Sequence, residues 1–212
     1  MASNLLDGVG SRRLALRAGG GWLLGAALSA RAAGAAAPAD DVCHTPPALS
    51  DGLQRSSVAV TLPGVRLRRH DGAATSLPVA LADEQPVLLN FLFTSCTTIC
   101  PPMAQIFAAT QEQLGVRRTQ LQMLSISIDP LVDHPARLRE YAARFDAGAQ
   151  WRFHTGSAEA IDAVQRAFNV WRPDKMGHTP VTFVRSRGAR LWVRLDGFAT
   201  PAQLIREAFA GA

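Results

Sequence analysis

The 212-residue sequence contains only three cysteines, one tyrosine and one lysine, and these shortages exclude several classes of protein. Three cysteines are too few to cross-link a chain of this length, so an apolar core has to hold the fold. Aromatic residues make up 7% of the sequence and do not alternate with the basic residues, which argues against a platform for single-stranded nucleic acid. The 48% of hydrophobic residues are enough for the core of one domain.

The net positive charge is also small outside the N-terminal segment. The formal net charge is +5, but residues 1–37 hold four arginines and one aspartate, so 18 basic and 16 acidic residues remain in the rest of the chain. A scattered surplus of this size does not provide the phosphate-binding surface that nucleic-acid binding needs. We therefore expect no nucleic-acid partner.

Residues 1–37 have the composition of an export signal and resemble a twin-arginine leader. Arg12 and Arg13 precede a weakly apolar, glycine-rich run over residues 18–30, and an alanine-rich tail follows. The run is shorter than the roughly 20 apolar residues that a membrane-spanning helix needs. We expect the leader to be cleaved and the protein to be periplasmic or otherwise exported, with membrane contact only if the leader is retained.

Residues 38–57 predict a linker, because Ala, Pro, Asp and Ser occur there without a helical or strand period. One folded domain is predicted over residues 58–212. At its start, residues 58–62 and 65–69 indicate short strands, with Asp71-Gly72 as a turn. This pattern predicts an N-terminal β-hairpin added ahead of the main sheet.

Buried strands and amphipathic helices alternate through the rest of the domain. The nearly all-apolar run over residues 87–93 is typical of a strand covered on both faces. The fold class predicted from the alternation is α/β, with a central mixed sheet flanked by helices. Further strands are predicted at 121–128, 151–154, 181–184 and 191–196, and helices at 101–115, 135–145, 158–168 and 201–210. Ser157 is the predicted N-cap of the third of these helices.

Cys96 and Cys100 occupy the loop between the strand at 87–93 and the helix that follows it. Free N–H groups and the dipole of a helix N-terminus favour the thiolate form there. Such a pair can act as a nucleophile, form a disulfide or bind a metal, so its position alone does not select a function. Three intervening residues allow both sulfurs to converge on a soft ion such as Cu(I) and still to meet as a disulfide. A plain structural cysteine pair is the alternative.

Residues 93–101, Phe-Thr-Ser-Cys-Thr-Thr-Ile-Cys-Pro, resemble the cysteine motif of the Sco/SenC family of copper proteins. Residues 127–130, Ser-Ile-Asp-Pro, together with Asp133, resemble the next strand end of that family. His178, which stands before an apolar strand, resembles its distant histidine. The resemblance runs from about residue 58 to the C-terminus and implies a thioredoxin-like fold.

The resemblance also implies a copper site made by Cys96, Cys100 and His178, and a role in assembling the binuclear copper centre of cytochrome c oxidase. Two thiolates suit Cu(I), and an imidazole extends the site to Cu(II). The partners implied are an apo copper-accepting protein, such as an oxidase subunit, and a thiol-disulfide reductant. We accordingly expect a copper metallochaperone rather than an enzyme in turnover.

A periplasmic thiol-disulfide oxidoreductase is the alternative function, in which Cys96 attacks a substrate disulfide and Cys100 resolves the mixed disulfide. Thr179-Pro180 resembles the cis-proline of thioredoxins and slightly favours this alternative. A thiol peroxidase fits less well, because no motif places an arginine near Cys96.

The residues beside His178, together with Cys43 and the other histidines, are expected to have secondary roles or none in the site. Gly177 stands where many members of the family have an acidic residue, so Asp174 is the candidate to orient the His178 ring. Met176 is interpreted as a packing residue rather than a ligand. Cys43 is an extra ligand, an intermolecular disulfide partner or an incidental thiol. The remaining histidines are expected at the surface or beside polar partners.

Overall fold

The computed structural model describes residues 52–210, so the predicted export signal, Cys43 and most of the predicted linker lie outside the described residues. The strands are β1 (Gln54–Val58), β2 (Leu67–Arg69), β3 (Ala74–Thr75), β4 (Val87–Leu92), β5 (Gln122–Ser127), β6 (Trp151–Gly156), β7 (Val181–Arg185) and β8 (Trp192–Asp196). The helices are α1 (Leu77–Ala80), α2 (Cys100–Leu114), α3 (Pro135–Arg144), α4 (Ala158–Ala167) and α5 (Pro201–Ala208), with 3-10 turns at Gly115–Gln120 and Lys175–Gly177. Within residues 52–210 no helix is both long enough and apolar enough to span a bilayer.

The strands form one mixed sheet in the order β1-β8-β7-β4-β5-β6-β2-β3. The pairs β4–β5 and β5–β6 are parallel, and every other pair is antiparallel. All residues of β4 and β5 are buried, which agrees with the buried strands predicted at 87–93 and 121–128. The predicted central mixed sheet flanked by helices is therefore confirmed.

Helices cover the two faces of the sheet and create two cores. Leu88 of β4 packs with Phe107 of α2 and Leu138 of α3 on one face. On the other face Leu89 packs with Ile161 of α4. Neighbouring side chains of a strand point to opposite faces, so a continuous apolar run in β4 supplies both cores.

The N-terminal part of the domain differs from the prediction. Strand β1 begins at Gln54, inside the predicted linker, and pairs with β8 at one edge of the sheet. Strand β2 lies near the opposite edge, where it pairs with β3 around the Asp71-Gly72 turn and also with β6. The two predicted strands are thus not partners, and the hairpin that does form belongs to the main sheet. Four of the five β1 residues are exposed, so the sequence carried no apolar period to reveal this strand.

The carboxyl ends of the parallel strands β4, β5 and β6 meet at one edge of the sheet, and a helix follows each of them. Cys100 is the first residue of α2, and two prolines follow in its first turn. His134 caps α3, and the predicted cap Ser157 is confirmed for α4. The cysteines therefore lie at the edge where a sheet of this kind presents its functional loops.

Candidate metal centre

The cysteine loop folds back on itself through sulfur and backbone contacts. The Cys96 amide donates to the Phe93 carbonyl at 3.1 Å, and the Cys100 amide donates to Cys96 Sγ at 3.4 Å. The Thr98 hydroxyl lies 3.7 Å from the same sulfur. Both thiols are free and buried, Cys96 being 7% and Cys100 1% exposed. The structure therefore brings the two predicted cysteines together as a reduced pair.

The two thiols differ in acidity because they differ in surroundings. Burial opposes ionisation of Cys96, but hydrogen bonds from Cys100 and Thr98 outweigh it and lower the pKa of the Cys96 thiol. Deeper burial, reinforced by the hydrogen bond to Cys96, raises the pKa of the Cys100 thiol far above its usual range. Cys96 is thus the more acidic thiol of the pair, beside a Cys100 that keeps its proton.

A buried carboxylate fixes the start of the cysteine loop. Asp133, fully buried, accepts hydrogen bonds from the Thr94 amide at 3.0 Å, from the Thr94 hydroxyl and from the Ser127 hydroxyl at 2.6 Å. Arg137 Nε donates to the Thr94 hydroxyl at 2.7 Å. These bonds join the ends of β4 and β5. The sequence indicated Asp133 only through the family motif and did not reveal this role, because Thr94 lies 39 residues away.

His178 follows the 3-10 turn Lys175–Gly177, and its ring lies against β4. Its Nε2 is 3.0 Å from the carbonyl oxygen of Phe91. A carbonyl can only accept, so Nε2 carries the proton and the lone pair stays on Nδ1. Burial is the main cause that lowers the pKa of His178, which keeps the imidazole neutral. A neutral ring with a free Nδ1 is the form that binds metals.

The structure does not gather all three predicted ligands into one cluster. Across residues 52–210, no three His, Cys, Asp or Glu side chains converge closely enough to hold a metal ion. Cys96 is bonded to Phe93, whereas His178 is bonded to Phe91, so both flank the end of the same strand. The donor set of two sulfurs and a neutral imidazole fits copper chemically, and the three groups have to approach one another to complete the site.

The loop that carries His178 is attached by its own contacts. Lys175 Nζ lies 2.6 Å from Asp129 Oδ2 and 5.4 Å from the centre of the Phe93 ring. Asp174 accepts from the Met176 amide at 2.9 Å, so Phe91, and not Asp174, orients the histidine ring.

The expectations for Met176 and for the Thr179-Pro180 peptide bond are wrong. Met176 is 66% exposed and is not a packing residue. No peptide bond in the described range is cis, so Thr179-Pro180 is trans and does not favour redox chemistry.

Comparisons with known proteins place these features in context. The SCO1/SenC family model matches residues 67–209. The SCO1 protein homolog of Bacillus subtilis (strain 168) is 35% identical over 74 residues, which are 34% of this chain and 38% of the homolog. The aligned segment thus spans well under half of the length of that curated relative.

Solved structures share the fold at lower identity. The SCO1/SenC family lipoprotein from Bacillus anthracis str. Ames has a TM-score of 0.60 and 21% identity, covering 72% of this chain and 98% of its own. Copper-bound ScoI of Bradyrhizobium japonicum has a TM-score of 0.56 and 23% identity, covering 71% of this chain and 99% of its own. The predicted thioredoxin-like fold is confirmed by these likenesses.

Proposed function

The chain belongs to the SCO1/SenC family, and from this membership we propose that it binds copper through Cys96, Cys100 and His178 and passes the ion to an apo-protein. The observation that carries the proposal is the arrangement of an acidified thiol, a second buried thiol and a neutral imidazole around the end of β4. ScoI, a relative that shares the fold, was solved with copper bound. The recipient proposed is the protein that carries the binuclear copper centre of cytochrome c oxidase.

The protein's own groups act in a definite order in this proposal. Cys96, the more acidic of the two thiols, meets the incoming ion first. Cys100 then loses its proton, so uptake releases a proton and depends on pH. His178 leaves the Phe91 carbonyl and offers Nδ1. A recipient with competing thiolates or imidazoles reverses these steps by ligand exchange.

We further propose that this exchange takes place outside the cytoplasm, after export directed by residues 1–37. A relative described as a lipoprotein supports a location at a membrane surface. A thiol-disulfide reductant is the second proposed partner, because only reduced cysteines supply thiolate ligands.

Metal analysis of the reduced protein tests the site. We expect one copper ion in the wild type and none retained by Cys96→Ser or Cys100→Ser after dialysis against a weak chelator. His178→Ala should weaken Cu(II) more than Cu(I), because two thiolates alone suffice for Cu(I). His134→Ala, which changes an exposed histidine, is the matched control and should keep both affinities. Full copper retention by both serine variants would contradict the assignment of the cysteines as ligands.

A thiol-disulfide oxidoreductase is the second candidate, favoured by the opposite pKa shifts of Cys96 and Cys100. A low-pKa attacking thiol and a protonated resolving thiol are what disulfide exchange uses. The two functions separate in a disulfide-reduction assay run beside copper transfer to an apo-oxidase fragment. Turnover that survives His178→Ala without any copper transfer would favour the oxidoreductase.

A further inference from the structure

A cavity of about 640 Å³ opens at the carboxyl ends of β5 and β6. The helices that follow these strands cover opposite faces of the sheet, since Leu138 of α3 lies in one core and Ile161 of α4 in the other. In open α/β sheets, ligands bind in the crevice where successive connections leave for opposite faces. The volume also falls within the roughly 300–1,000 Å³ typical of small-molecule pockets. Position and size therefore both suit a small ligand.

The floor of the cavity is formed by two residues of neighbouring strands. Arg68 and Thr155 are directly opposite in the antiparallel β2–β6 pair. Leu67 points into the α4 core, so alternation turns Arg68 to the α3 face. Phe153 packs in the α3 core, and Thr155, two residues on, shares that face. Opposite residues have Cβ atoms about 4.5–5.5 Å apart, so the guanidinium and, after rotation of the buried Thr155 side chain, the hydroxyl can reach one ligand.

Polar groups in this lining lack partners. Thr155 is 4% exposed, and its hydroxyl makes no hydrogen bond. Arg66 and Arg68 are exposed and form no ion pair with any carboxylate of residues 52–210. Elsewhere in the described chain, arginines that do form ion pairs are Arg55, Arg69, Arg137 and Arg194. Positive charge without an acidic partner thus borders the cavity.

The N-termini of two ten-residue helices add to this charge. The caps His134 and Ser157 both line the cavity and accept hydrogen bonds from the third residue of α3 and of α4. The remaining first-turn N–H groups and the helix dipoles favour an anion. Glu159, also in the lining, bonds to its own amide and to Ser157, which lowers the pKa of its carboxyl. That carboxylate is an internal anion with which a ligand would compete.

We propose that this cavity binds a small organic phosphate, with the phosphate between Arg66, Arg68 and the Thr155 hydroxyl. Two guanidinium groups and two helix N-termini oppose one carboxylate, so the excess positive charge matches a dianion better than a monoanion. Val65 and Pro130 supply apolar wall for the organic part of the ligand.

Titration of the full chain with phenyl phosphate at low salt, followed by the amide NMR signals of Ala158 and Glu159, tests the proposal. Arg68→Ala should weaken binding at least about tenfold, the effect of losing a charged hydrogen bond. Thr155→Val should weaken it about threefold or more without lowering Tm, because the hydroxyl it removes has no partner in the fold. Glu159→Gln should tighten binding about threefold by removing the internal anion.

Arg187→Ala is the matched control, because Arg187 is an exposed arginine in the turn between β7 and β8. It should leave the affinity within about twofold, which is under half a kcal/mol. The proposal is overturned by absence of saturable binding, by full affinity in Arg68→Ala, or by equal affinity for neutral benzyl alcohol or monoanionic benzoate. The titration is repeated with the Cys96→Ser/Cys100→Ser double variant, which lacks both proposed thiolate ligands. Unchanged phosphate affinity in this variant shows that the cavity binds phosphate independently of copper.

Discussion

The two halves of the candidate metal centre are held by the fold in different ways. The cysteine half is buried between β4 and α2 and is fixed to β5 by the fully buried Asp133. The histidine half lies on an exposed loop, attached through the ring bond to Phe91 and an ion pair to Asp129 in which the Lys175 side chain is 41% exposed. A thiol pair fixed in the interior and an imidazole attached by fewer contacts would suit the proposed carrier, which has to take up and release an ion.

Among the changes that test this difference, Asp133→Asn is expected to have the largest effect on stability. In Asp133→Asn an NH2 group takes the place of one carboxylate oxygen. This group donates hydrogen bonds, so inside the protein it would face the donors of Thr94 or Ser127. The free energy of unfolding should fall by about 3 kcal/mol, as for a broken buried network. Urea unfolding followed by circular dichroism measures the change.

Asp174→Asn is the matched control for that variant. Asp174 caps the short turn before His178 and is exposed, so its change should cost less than about 1 kcal/mol. An unaltered urea midpoint in Asp133→Asn would show that the cysteine half is no more firmly fixed than the histidine half.

A thiol reagent should next distinguish the two cysteines. Since the pKa of Cys96 is lowered, its thiolate, and with it the alkylation rate, should appear at a lower pH than for an ordinary cysteine. Cys100, whose pKa is raised, keeps its proton and should react only at much higher pH. Mass spectrometry of peptides after timed iodoacetamide labelling, in a Cys43→Ser background, gives both profiles. A common pH midpoint for the two thiols would contradict the assignment.

The smallest expected effect comes from the ion pair of the histidine loop. Lys175→Ala removes a partly exposed pair and should lower stability by less than about 1 kcal/mol. Hydrogen exchange at residues 175–178 should speed up while exchange at 94–96 stays unchanged. Arg172→Ala, an exposed change in the same segment, should alter neither region. Equal acceleration in both regions would mean that the two halves move as one unit.

Local patterns were sufficient to predict the core of the fold. The apolar run over residues 87–93 predicts β4, and the Ser157 cap predicts the start of α4, because each of these signals lies within a few residues of the element it marks. The sequence predicts a linker over most of β1 because its exposed residues show no apolar period, and they join the sheet through backbone pairing with β8 and the Arg55–Glu207 ion pair. An edge strand of this kind has no side-chain period to detect.

Contacts between distant residues explain what the sequence could not predict. The ring of His178 is oriented by a carbonyl 87 residues earlier, and any residue type provides a carbonyl. His154 was expected at the surface or beside polar partners, which is wrong. It is fully buried, neither ring nitrogen has a partner, and burial lowers its pKa to about 3. In β6, His154 lies between Ile126 of β5 and Arg69 of β2, and this pairing of distant strands places it in the interior of the sheet.

The Phe91 carbonyl also has a consequence for how tightly an ion could be held. Phe91 is 1% exposed with the His178 ring in place, and its oxygen loses this hydrogen bond if the ring departs. A hydrogen bond of this kind contributes about 1 kcal/mol, which corresponds to roughly a fivefold change in an equilibrium constant. In the proposed carrier, the vacated oxygen draws the imidazole back and acts as an intramolecular competitor for the third ligand. Such competition shortens the residence time of the ion and favours its transfer to a recipient whose ligands are already in place.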